Sequence, residues 1–157
     1  MKILGIDPGL AIVGYSIVEH NNDENILLSS GSIQTDKTKT DSQRLYEIAQ
    51  DMQTVIDRYK PDAASIEKLF YFKNQKTVIP VAEARGVILQ ILEKNQIPIE
   101  EYTPIEVKQI MTGYGRATKE EVAKIVEMSV KYTKLPKLDD TVDSIAIALC
   151  YARNRRD

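Results

Sequence analysis

Cysteine and histidine are almost missing from this chain: Cys150 and His20 are the only examples in 157 residues. One thiol cannot close an internal disulfide, so a disulfide-stapled scaffold is excluded and a reducing compartment is expected, the cytoplasm by default. Cys150 sits in the apolar run Ile145-Ala146-Ile147-Ala148-Leu149-Cys150-Tyr151 and reads as a small buried hydrophobe. His20 precedes a polar turn and reads as a surface residue. No histidine, cysteine or serine has a partner placed for covalent catalysis, so a side-chain nucleophile is not expected. There is no signal-peptide pattern and no apolar run of about 18 residues, hence no expectation of export or of membrane insertion. A dominant charge is lacking as well: 21 Lys and Arg stand against 23 Asp and Glu, a net charge of -2. Nucleic-acid binding therefore has no support from overall charge and has to rest on local basic patches. Repeats, low-complexity segments and long linkers are absent too, so the chain is expected to form a single domain over residues 1–157, with about 153–157 a frayed tail. A chain of this length buries roughly two-thirds of its unfolded surface and needs neither disulfide nor structural metal to fold.

What is present has a clear order. Residues 2–7, 12–19 and 26–34 are strand-like and are separated by Pro8-Gly9 and Asn21-Asn22-Asp23, connections short enough for an antiparallel meander. Leu45, Ile48, Ala49, Met52, Val55, Ile56 and Tyr59 recur at helical spacing, and Pro61 follows as a stop. Residues 63–67 read as a short buried strand, about 76–95 as a second helix, and 97–102 as another strand. Strands alternating with helices imply a parallel half of the sheet. A short helix over 104–111 leads to the turn Thr112-Gly113-Tyr114-Gly115, and Thr118-Lys119-Glu120-Glu121 has the form of a capping box opening the next helix. The last helix starts near Asp139 or Asp140, and its apolar run predicts burial against the sheet.

Four carboxylates stand beside apolar sequence. Asp7 follows Ile3-Leu4-Gly5-Ile6 and is stopped by Pro8-Gly9, while Glu67 ends Ala64-Ser65-Ile66 in the same manner. Asp140 and Asp143 are three apart and share one helix face. Asp139, four before Asp143, competes with Asp140 for that role, and either could instead cap the helix. Clustered acids at strand ends are unfavourable without a cation, and the carboxyl edge of an open α/β sheet is where ligands bind. Oxygen ligands without histidine suit magnesium or manganese rather than zinc. Two such ions about 4 Å apart can clamp a phosphodiester, activate water and stabilise the departing oxygen.

The blocks Gly5-Ile6-Asp7-Pro8-Gly9, Ile66-Glu67 with Phe70 and Lys73-Asn74, Glu83-Ala84-Arg85-Gly86, Val107-Lys108-Gln109 and Asp140-Thr141-Val142-Asp143 together resemble the RuvC-type Holliday junction resolvases, from about residue 2 to 152. The resemblance implies a ribonuclease H-like fold: a five-stranded mixed sheet, three antiparallel strands then two parallel, flanked by helices. It also implies a homodimer that nicks two opposed strands of a four-way DNA junction with magnesium, two ions per active site, manganese being able to substitute. The products would be 5′-phosphate and 3′-hydroxyl ends. Position by position, the resemblance makes Asp7, Glu67, Asp140 and Asp143 the metal-binding catalytic acids, which favours Asp140 over Asp139. It assigns Lys108 and Lys119 to the scissile phosphate, Lys119 in a catalytic role, and Phe70 to junction contact. A branch-migration helicase complex of the RuvA and RuvB type is the implied protein partner.

The polar and aromatic residues carry a physical reading of their own. Both phenylalanines of the chain, Phe70 and Phe72, lie with Tyr71 among Lys68, Lys73 and Lys76. Rings stack on unpaired bases for about 1–3 kcal/mol each, and lysines hold the backbone, although the two rings would serve equally well in a core. Lys108, Arg116, Lys119 and Lys124 cluster around the glycine-containing turn. Lys119 near a helix N-terminus is unfavourable unless an anion is close, and a phosphate would supply one. Gly86 weakens its helix but permits close approach of another. Three other readings share parts of the pattern. An actin-like kinase or chaperone ATPase needs a second related domain; an RNA-processing nuclease of the same superfamily differs in substrate; a junction-binding module would not cut.

Overall fold

The computed structural model describes residues 1–68, 75–132 and 139–155, with the backbone alone for Gln75, Asp139 and Asp140. Strands β1 (Lys2–Asp7), β2 (Ile12–Asn21) and β3 (Glu24–Gln34) form the meander, and α1 (Asp41–Tyr59) follows. Then come β4 (Ala63–Glu67), α2 (Gln75–Lys94), β5 (Ile99–Tyr102), α3 (Pro104–Thr112), α4 (Lys119–Ser129) and α5 (Asp139–Asn154). The sheet order is β3-β2-β1-β4-β5, antiparallel from β3 to β1 and parallel from β1 to β5. Among the described residues no helix is long and apolar enough to cross a membrane.

Alternation along the strands divides the core into two layers. Leu4, Ile6, Ala64 and Ile66 pack with Ile48, Met52, Val55 and Ile56 of α1 and with Ile88 and Leu92 of α2. On the opposite face Ile3, Val18 and Tyr102 meet Val107 and Met111 of α3, Val122 and Val126 of α4, and Ile145 to Cys150 of α5. Three threonines start helices in the same way: Thr40, Thr103 and Thr118 each accept a bond from the amide three residues on and are answered by Gln43, Glu106 and Glu121. Arg153 and Asn154, expected to begin a frayed tail, instead continue α5. Arg153 donates to the carbonyls of Ile110 and Met111, 3.2 and 2.9 Å away, and to Ser129 Oγ at 2.9 Å. Carbonyls left over at the end of α3 thus hold a residue that local composition makes look free.

Candidate active site

Asp7 and Glu67 meet by strand register. Parallel pairing matches Ile3 with Ala63 and continues in step to Ile6 with Ile66, so the two acids are the next residues on adjoining strands. Neighbouring strands are about 4.8 Å apart. Both acids also point to the same side. Gly5, two before Asp7, lies against α5, and Ser65, two before Glu67, donates to Ile147 O of α5 at 2.7 Å. A period of two therefore puts Asp7 and Glu67 on the α5 face.

Helix α5, which carries Asp139, Asp140 and Asp143, packs against β1 and β4. It runs antiparallel to β1, since Ser144 abuts Gly5 while Arg155 Nη1 reaches Met1 Sδ at 3.0 Å. The close approach requires a glycine: a Cβ on Gly5 would stand 2.0 Å from Ser144 O and 2.8 Å from Ala148 Cβ. Asp143 precedes Ser144 on the same turn of α5. Ser144 Oγ donates to Thr141 O at 2.7 Å and both residues are buried, which anchors the first turns of the helix. Asp139 and Asp140 occupy the first turn of α5, and their side chains lie outside the described residues. Among the described residues, no group of three or more acidic, histidine or cysteine side chains stands close enough to hold a metal ion.

Lys119 comes to the same place from another element. As the first residue of α4, after the Thr118 cap, its Nζ lies 3.9 Å from Asp143 Oδ2. The anion that a lysine at a helix N-terminus requires is thus supplied within the chain. The pair is open to solvent, with the lysine side chain 73% exposed, so a phosphate can reach the ammonium. Lys108 is half-buried on α3, which packs against α5. Between them the chain turns at Gly113, whose φ of 81° is left-handed, and Thr112 Oγ1 donates to Lys108 O at 2.8 Å. Arg116 is exposed in this turn, and Lys76 is exposed in the first turn of α2. Phe70, Phe72 and Lys73, expected to meet DNA, lie outside the described residues.

One neighbour of the acids was given no role by sequence reasoning. Arg85 Nε donates to the backbone carbonyl of Glu67 at 3.1 Å, and its guanidinium pairs with Glu101 of β5. The block Glu83-Ala84-Arg85-Gly86 marked the segment, but the direction of the side chain depends on how α2 packs. Burial also sets two titrating groups on this face apart: the Tyr102 hydroxyl and the Cys150 thiol are both pushed up to about 12.

Comparison with known proteins gives a consistent result. A family model described as crossover junction endodeoxyribonuclease RuvC matches residues 3–151. The protein of that name from Petrotoga mobilis is 45% identical over 99% of this chain and 96% of its own length. Its counterpart from Prochlorococcus marinus subsp. pastoris is 46% identical over 95% of this chain and 94% of its own. Among solved structures, Thermus thermophilus RuvC in complex with a Holliday junction substrate superposes with a TM-score of 0.89 at 30% identity, covering 98% of this chain and 95% of that one.

Proposed function

This chain belongs to the crossover junction endodeoxyribonuclease RuvC family, and on that premise we propose that it resolves four-way DNA junctions by paired, symmetric nicks in two opposed strands. The observation that carries this reading is that Asp7 and Glu67 end adjoining strands on the α5 face, while Lys119 of α4 lies 3.9 Å from Asp143 of α5. The family's nucleases are metal-dependent. A donor set of carboxylate oxygens, with the single histidine at the far end of β2, fits a hard cation such as magnesium. Asp7, Glu67, Asp140 and Asp143 would hold it, as two ions per site, with manganese able to substitute. Bound there, the ions would supply activation of a water and stabilisation of charge on the departing oxygen, with 5′-phosphate and 3′-hydroxyl ends as the expected products.

The chain's own residues bind and orient the substrate. Lys119 offers a cation beside the acids, where negative charge builds on the phosphate. Lys108, Arg116 and Lys76, with Phe70, Phe72 and Lys73, are the proposed DNA contacts. A homodimer follows from symmetry, because two identical sites are needed to nick two opposed strands. Its support in this chain is the outer face of α2, where Ile79 is 67% exposed and Ala82 and Gly86 are exposed on successive turns. Nothing stands within 4 Å of a Cβ built on Gly86, so a second helix can approach there. Family membership is also the support for a branch-migration helicase complex of the RuvA and RuvB type as partner. The test is cleavage of a synthetic four-way junction with and without magnesium. Asp7→Asn, Glu67→Gln and Asp143→Asn are each expected to abolish cutting while gel-shift binding of the junction persists. Magnesium-independent cutting, or full activity of Asp7→Asn, would sink the assignment.

A further inference from the structure

The peptide unit that follows Glu67 is held from both sides. Its carbonyl accepts from Arg85 Nε at 3.1 Å, and its amide, Lys68 N, donates to Tyr102 O of β5 at 2.7 Å. Arg85 is itself anchored: its side chain is 15% exposed, and its terminal nitrogen pairs with Glu101, the residue before Tyr102. A guanidinium presents its donors as a planar fork, so one side chain can engage the carbonyl and the carboxylate together. The fork therefore joins the last peptide of β4, the end of β5 and α2 into one rigid corner. This corner lies where β4 gives way to the segment from residue 69. On the helix, Arg85 stands next to Gly86, which belongs to the exposed face.

We propose that Arg85 is a positioning residue for Glu67: it holds the backbone from which that carboxylate projects and ties it to the exposed face of α2. In this role Arg85 acts through the Glu67 backbone rather than on phosphate or metal. Its effect reaches the site through the direction in which the Glu67 side chain leaves the sheet. Residues that orient a metal ligand typically change metal affinity by about 10-fold or more when lost. A helix displaced at its exposed face moves Arg85 with it, so dimer contact and ligand geometry are coupled through a single side chain. This inference rests on the nuclease reading of the acidic edge, but two of its readouts need no DNA.

The experiment compares wild type, Arg85→Lys and Glu101→Gln at matched melting temperature. Lysine keeps the charge and loses the fork, whereas Glu101→Gln loosens the anchor and leaves the bond to Glu67 in place. Manganese binding is read by electron paramagnetic resonance on protein without DNA, and exchange of the Lys68 amide by NMR. Arg85→Lys is expected to weaken manganese binding about 10-fold and to speed Lys68 exchange by a similar factor. Glu101→Gln is expected to move both in the same direction by a smaller factor, and to decide the matter alone if Arg85→Lys does not fold. Junction affinity in EDTA is expected to stay within about twofold of wild type. Wild-type manganese affinity and wild-type exchange in a folded variant would overturn the proposal. A loss of junction affinity as large as the loss of metal affinity would overturn it too, because Arg85 would then be a DNA contact. Failure of wild-type protein to cut a junction would count against the nuclease reading and leave these two readouts intact.

Discussion

Lys119 and Asp143 are a pair whose proposed role lies in chemistry rather than in stability. They lie 3.9 Å apart with the lysine 73% exposed, and solvent screens such a pair, so its contribution to folding is small. Its proposed value is location, since the ammonium stands beside Asp143, one of the acids to which the nuclease reading assigns the cut. Lys119→Ala is accordingly expected to slow single-turnover cleavage by roughly 100-fold with the melting temperature nearly unchanged. Cys150 is the opposite case, a residue with no part in the chemistry whose burial is measurable. Its thiol is raised from 9.0 to about 12 by burial. A raised folded-state pKa contributes stability that is complete below the unfolded value and is lost as pH rises toward the folded one. Stability is therefore expected to fall between about pH 9 and 12, less steeply in Cys150→Ala, as followed by urea denaturation at stepped pH. At pH 8 the native thiol is expected to resist a disulfide reagent that modifies the urea-unfolded chain at once.

Among the elements, α5 is the one on which the site depends. Gly5 lets it lie directly on β1, Ser65 fastens its middle to β4, and Arg153 ties its far end to α3 and α4. Gly5→Ala would drive a methyl group into Ser144 O, and backbone cannot yield as a flexible side chain can. The expected loss is about 3 kcal/mol in urea denaturation, with activity falling further than stability because the displaced helix carries Asp143. Most of these elements are legible in the sequence. The helical spacing from Leu45 to Tyr59, the capping box at Thr118 and the apolar run of α5 are local patterns, and local hydrogen bonding and burial follow them. The boundary at Arg153 was not legible, because a charged tail shows no sign of the carbonyls that receive it.

At the scale of the whole molecule, a net charge of -2 leaves the proposed DNA binding to rest on local basic residues such as Lys108, Arg116 and Lys119. Junction binding is expected to weaken steeply with added salt, and the slope of log affinity against log salt is expected to become shallower by about one for each of Lys108→Ala and Arg116→Ala. The proposed dimer offers a second test. Ile79→Asp on the exposed face of α2 is expected to shift sedimentation toward the monomer and to replace paired cuts with single nicks. By itself the sequence determined the identity and order of the elements, the split between antiparallel and parallel strands, and the residue types available for chemistry. All of these are encoded in period, turn residues and short motifs that act over a few positions. Only the tertiary structure decided that Asp7 and Glu67 share the α5 face, that Lys119 reaches Asp143, and that Arg85 grips the carbonyl of Glu67. Those contacts join residues 18 to 60 positions apart. They depend on strand register and on how closely a helix can approach a glycine, and no local pattern carries that information.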